Sequence, residues 1–193
     1  FASDWEEAKD ALAKGGKVVL SAHLLGGPKA ARYAGWFPLY WSVPFFPGQS
    51  IDTIGLLVQD KHPAFHGFPT PPHADWNWFR ICQGARGFDV TDLTNPDFRG
   101  MAEPVCDFHL NRRLASIFEL KQGTGKLLVC GYDITAENAA KFPEVAALRN
   151  SLLTYAASPE FSPQTEIPTS ALDKLFENPQ LKLPPLPEAF AKA

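Results

Sequence analysis

With 193 residues, 45% of them hydrophobic and 20% charged, the chain is long enough to bury one continuous core and too apolar to stay disordered. A formal net charge of −3 without any Lys/Arg block excludes the electrostatic footprint of a nucleic-acid binder, and no run approaches the roughly 18 apolar residues of a membrane span. Cys82, Cys106 and Cys130 are widely spaced and form no CxxC pair, which argues against a zinc knuckle or a disulfide framework.

The chain opens on an amphipathic helix, with no signal-peptide pattern. Ser3-Asp4-Trp5-Glu6 has the capping-box form, with Ser3 as the expected cap and Glu6 reaching back. Trp5, Ala8, Ala11 and Leu12 follow at helical spacing. Gly15-Gly16 stops the helix, and Lys17 to Ser21 reads as a buried strand, an α/β unit that feeds a parallel sheet. Because the helix begins abruptly and 18 residues are proline, the chain reads as a piece excised from a longer protein.

From Leu24 to Ser50 glycine, proline and aromatics crowd together without a period, and Trp36, Phe37, Tyr40, Trp41, Phe45 and Phe46 are expected to pack on a neighbour. Ile51 to Val58 reads as a second strand. Trp76 to Cys82 is a short helix or strand, and Phe88 to Leu93 a short edge strand. Glu103 to Phe108, Leu114 to Leu120 and Lys126 to Cys130 read as three more strands, the last preceded by the turn Gly123-Thr124-Gly125. Pro143 to Ala157 is a helix with Val145, Leu148, Leu152 and Ala156 on one face; Pro143 suits its first turn, where amides lack helical partners. A short helix at Ser170 to Phe176 interrupts the proline-spaced extension over 161–193.

The segment His62 to Trp78, HPAFHGFPTPPHADWNW, holds the densest chemistry. Its four prolines force an irregular loop, yet it concentrates histidines and aromatics that loops normally shed. His62, His66, His73 and Asp75 could be drawn as a metal site, but His-x3-His has geometric meaning only on a helix, so no metal is expected and the histidines are expected to donate to backbone carbonyls. Trp76, Trp78 and Phe79 could stack on sugar rings; packing is the favoured reading. Nucleophilic catalysis lacks its glycine-flanked elbow, since Cys130 precedes Gly131 but follows Leu128 and Val129. Of the carboxylates Glu119, Asp133, Asp75 and Asp107, Asp133 stands out because it follows a buried strand at the sheet's carboxyl edge, where α/β ligands bind. No phosphate-cradling loop or dinucleotide fingerprint is present, and no cofactor is implied.

Three phrases carry a family likeness: GLLVQDKHPAFHGFPTPPHADWNW, VCDFHLNRRLASIFELKQGTGKLLVCGYDI and LRNSLLTYAASPEFSPQTEI. Together they resemble the C-terminal region of bacterial multidomain glycoside hydrolases of the family 2 type, β-galactosidase-like or β-glucuronidase-like enzymes. The resemblance covers about Gly55 to Ile167. It implies a flavodoxin-like sheet related to class I glutamine amidotransferase-like domains, without the amidotransferase triad. The glycosidase carboxylates of that family sit in a barrel of about 250 residues, so none is carried over to this chain.

The expectation is therefore a single three-layer α/β domain with a mostly parallel central sheet and helices on both faces. Functionally it reads as a non-catalytic accessory domain of a carbohydrate-active hydrolase, serving interdomain packing, oligomerisation or sugar binding, in a periplasmic or extracellular setting. The rival is a stand-alone small hydrolase or amidotransferase-like enzyme. A ligand site, if built, gathers His62, His73, Asp75, Trp76, Trp78 and Asp133, with no catalytic residue and no metal. Its partners would be the other domains of the parent glycosidase and carbohydrate, with a homo-oligomer as a further option.

Overall fold

A computed structural model describes residues 1–26, 31–33, 53–83, 85–93, 97–106 and 111–177. The predicted aromatic packing over 36–46 lies outside these residues, as do Ile51, Asp107, Phe108 and the extension beyond Glu177.

Helix α1 (Trp5–Ala13) is capped by Asp4, whose carboxylate accepts from the Glu6 and Glu7 amides at 2.9 and 3.1 Å. Sequence reading had placed the cap one residue early, at Ser3. The chain then runs into β1 (Lys17–Ser21), β2 (Ala31–Tyr33), β3 (Thr53–Val58), a 3-10 turn at Pro63–Phe65, α2 (Trp78–Ile81) and β4 (Arg86–Asp89). Next come β5 (Ala102–Cys106), β6 (Leu114–Ala115), β7 (Ile117–Gln122), β8 (Gly125–Cys130), α3 (Ala136–Lys141), α4 (Pro143–Ala157) and α5 (Thr169–Phe176).

The main sheet has the order β1-β8-β7-β5-β3, and β2-β4-β6 form a small second sheet. Among the described strands of this sheet only β1–β8 pairs in parallel; β8–β7, β7–β5 and β5–β3 are antiparallel. This overturns the mostly parallel, flavodoxin-like expectation. The reason is that no long crossover helix forms between these strands among the described residues. A parallel pair needs a crossover of a dozen or more residues, usually helical, and the longest described helix between β3 and β8 is the four-residue α2. Gly123, at φ 57°, closes the β7–β8 hairpin instead.

Two further expectations change. Leu114 to Leu120 is broken at Ser116, whose amide donates to Ala102 O at 2.8 Å and whose hydroxyl donates to Arg86 O at 2.7 Å; the run thereby serves both sheets. The predicted edge strand at Phe88 to Leu93 forms earlier, as β4, inside the small sheet. Gly131 joins the sheets: Arg86 N donates to its carbonyl at 2.7 Å and its own amide donates to Ser116 O at 2.6 Å. A Cβ at position 131 would lie 2.2 Å from Arg86 O, so only glycine admits this approach.

Apolar side chains leave the sheet on both faces. Val19, Ile117, Leu128 and Cys130 pack with Phe65, Phe68 and Trp78 of the loop and with Val145, Leu148 and Leu152 of α4. On the other face Val18, Leu20, Phe118, Leu120 and Leu127 meet Trp5, Ala8 and Leu12 of α1 and Leu172, Leu175 and Phe176 of α5. Short segments cover both sheet edges: Ala2 bridges β1, and His73 bridges β3, with Val58 N donating to Pro72 O at 3.0 Å. Where they bridge, these segments occupy edge amides and carbonyls on which another chain could pair. Among the described residues, no helix is long and apolar enough to cross a membrane.

Candidate functional site

The loop from His62 to Trp78 divides into an inward and an outward half. Pro63 starts the 3-10 turn, and His62 caps it: its Nδ1 accepts from Ala64 N at 3.2 Å. This imidazole therefore accepts from the backbone, where donation to a carbonyl was expected. It also meets the Tyr155 ring edge-on at 5.2 Å. Burial is the first cause that holds the His62 pKa below 6.5, with His66 adding and Glu160 opposing.

Phe65, Phe68 and Trp78 turn into the core. Trp78 is 0% exposed, its ring 5.2 Å from Phe68 and 5.7 Å from Tyr132, and its indole N–H donates to Thr70 Oγ1 at 2.7 Å. It cannot stack on a ligand, which removes it from the expected ligand set. Trp76 behaves oppositely: it is 79% exposed, with Phe79 beside it at 6.0 Å. Asp75 shapes the turn that carries it, accepting from Asn77 N at 3.0 Å and Asn77 Nδ2 at 3.2 Å. His73 is exposed and contributes its backbone to the β3 edge.

Asp133 stands in a different constellation, at the carboxyl ends of the parallel pair β1–β8. Its Oδ1 accepts from Thr135 N and Thr135 Oγ1 at 3.1 and 2.7 Å, while Oδ2 faces His23 Nε2 across 3.8 Å. His23 Nδ1 lies 3.2 Å from Ser21 Oγ. If Ser21 donates, the ring carries its proton on Nε2 toward Asp133, and hydroxyl, imidazole and carboxylate stand in relay order. Burial, opposed by Asp133 and reinforced by Arg86, lowers the His23 pKa from 6.5. Sequence reading found Asp133 and missed Ser21 and His23. The available signal was their place at and just after the carboxyl end of β1, since Asp133 was expected at the carboxyl edge of the same sheet.

Two of the three thiols and the Ser21 hydroxyl are buried, while Cys106 is partly exposed. Ser21 is 1% exposed, and Cys82 and Cys130 are buried, with both thiols pushed up to about 12 chiefly by burial. A thiol at that value holds its proton at neutral pH and is inert. Glu119 is half-buried; burial raises its pKa, and it accepts the Tyr155 hydroxyl at 2.6 Å. Among the described residues, no cluster of three or more His, Cys, Asp or Glu could hold a metal ion.

None of the curated proteins matches the chain. Over residues 1–177, which include both core clusters and both constellations, the sequence matches the model of a family described as a domain of unknown function (DUF8487), and the chain belongs to that family.

Proposed function

We propose that this chain is a non-catalytic accessory domain of a carbohydrate-active glycoside hydrolase of the family 2 type, acting by docking and sugar contact. The observation that carries the reading is Trp76. A tryptophan left 79% exposed stands on a loop that Phe65, Phe68 and Trp78 anchor in the core. Exposed aromatics on a fixed backbone are what interfaces and sugar platforms use, because little side-chain entropy is lost on contact. The phrase HPAFHGFPTPPHADWNW, which carries the family likeness, includes this residue.

The test is a titration of galactosides and pectic oligosaccharides against the chain and against Trp76→Ala, alongside chromogenic glycoside, ester and amide substrates. Binding or domain docking that Trp76→Ala abolishes supports the reading; turnover of any substrate by the wild-type chain overturns it. The relay order of Ser21, His23 and Asp133 carries one second reading, a small serine hydrolase, which requires the buried Ser21 hydroxyl to open to substrate. A fluorophosphonate probe separates the two, since only the hydrolase would be labelled at Ser21 and would lose the label in His23→Gln.

A further inference from the structure

A cleft of about 260 Å³ separates the turn Pro63–Gly67 from the outer face of α4. Pro63, His66 and Gly67 form one wall; Asn150, Thr154 and Glu160 form the other. Its walls are fixed. Ser151 Oγ accepts from Gly67 N at 3.0 Å and donates to Ala64 O at 2.7 Å, which sews the turn to α4. A Cβ at Gly67 would meet Ser151 Oγ at 3.2 Å, so the two backbones already approach as closely as they can. A pocket preformed in this way loses little ordering entropy when a ligand enters.

What the cleft offers is mixed hydrogen bonding. His66, Asn150, Thr154 and Glu160 are all exposed, and none of their side chains hydrogen-bonds another described residue. An imidazole, an amide, a hydroxyl and a carboxylate thus leave both donors and acceptors facing the same space. Drug-sized pockets measure about 300–1,000 Å³, so this one suits a ligand of a single ring. Glu160 supplies a negative charge, and neither lysine nor arginine lines the walls.

We infer that the cleft between the Pro63–Gly67 turn and α4 binds one neutral, hydroxyl-rich ring, a hexose residue, and discriminates against uronic acids through Glu160. The inference rests on the carbohydrate reading above for its choice of ligand, but it is located away from Trp76 and fails separately. The experiment is an amide ¹H–¹⁵N titration of the chain with methyl β-galactoside and, in parallel, with glucuronate. Saturable shifts confined to residues 63–67 and 147–160 are expected. Asn150→Ala, Thr154→Val and Glu160→Gln should each weaken binding by about tenfold, the effect of losing one ligand hydrogen bond. Glucuronate should bind more weakly than the galactoside, and Glu160→Gln should narrow that difference.

All three positions are exposed, so unchanged spectra of the free variants establish that they fold. Shifts that centre on Trp76 and vanish in Trp76→Ala overturn the cleft and leave the carbohydrate reading standing. Shifts that survive all three cleft variants, or the absence of saturable shifts with either sugar, also overturn it.

Discussion

Trp78 and Trp76 are two residues apart, and replacing each by alanine should have opposite consequences. Trp78 is fully buried, in contact with Phe65, Phe68 and Tyr132. Burying an aromatic side chain removes about 150–250 Å² from water, worth roughly 4–6 kcal/mol at about 25 cal/mol per Å². That is an upper estimate because unfolded chains already hide some of this surface, and it agrees with the about 3–5 kcal/mol seen for large-to-small changes at buried tryptophan or phenylalanine. Losing the hydrogen bond to Thr70 adds little, since that hydroxyl also donates to Pro71 O at 3.1 Å. With a urea slope of about 2–3 kcal/mol per M, Trp78→Ala should lower the unfolding midpoint by roughly 1–2 M. Trp76→Ala, at a position 79% exposed, should stay within about 0.5 kcal/mol, or roughly 0.2 M. Circular dichroism at 222 nm is the suitable probe, because each variant removes one of five tryptophans and so changes the fluorescence baseline itself. Equal midpoint shifts in the two variants, or a Trp78→Ala shift near that of Trp76→Ala, would refute the division of the loop into an anchor and a platform.

Gly131→Ala places a methyl group 2.2 Å from Arg86 O, a carbonyl already held by the Ser116 hydroxyl; the cost should reach or exceed the about 1–3 kcal/mol of ordinary overpacking, read as a lowered urea midpoint or loss of soluble protein. Ellman's reagent should leave Cys82 and Cys130 unmodified in the native state and modify them in urea, because both thiols are buried and pushed up to about 12; rapid native reaction at either one would contradict their sealing. For Glu119 the folded pKa is raised, so the folded state binds its proton more tightly and the carboxyl's contribution is present at low pH and lost as pH rises through the folded value. Glu119→Gln should therefore gain stability relative to wild type between pH 4 and pH 8, and a constant difference across that range would reject the assignment. His23 has the reverse sign: its folded pKa is lowered from 6.5, so stability falls as the pH drops below that ordinary value, and His23→Gln should flatten the urea midpoint between pH 7 and pH 5.

Local signals carried much of the element list and little of the topology. Helix α4 was readable because Val145, Leu148, Leu152 and Ala156 share one face and Pro143 marks the start. Strand β8 was readable because its apolar residues run without interruption into a glycine that must approach another backbone. The direction of the strands was not. KLLVC reads the same in a parallel or an antiparallel sheet once both of its faces are buried, so periodicity is silent there. The informative signal was the absence of a helical pattern long enough for a crossover between β3 and β8. The family likeness pulled the other way, toward a flavodoxin-like sheet, and the lack of a long crossover helix among the described residues overrode it.

The site was legible in composition and not in geometry. An irregular loop gives no spacing rule, so residues 62–78 could be flagged as chemically dense without a prediction of which side chains turn inward. Hydrophobicity alone cannot separate Trp76 from Trp78, since both are the same residue in the same phrase. What separates them is the turn that Asp75 and Asn77 close, after which helix α2 carries Trp78 toward Phe68 and leaves Trp76 outside. The same anchoring fixes Pro63 to Gly67 against Ser151. A docking indole and a polar cleft thus share one foundation, and disturbing that foundation through Trp78 should weaken both, whereas Trp76→Ala and Asn150→Ala should each affect only one. If Trp76→Ala and Asn150→Ala proved interchangeable in ligand binding, the two features would be one site, and the separation argued from the loop's two halves would fall.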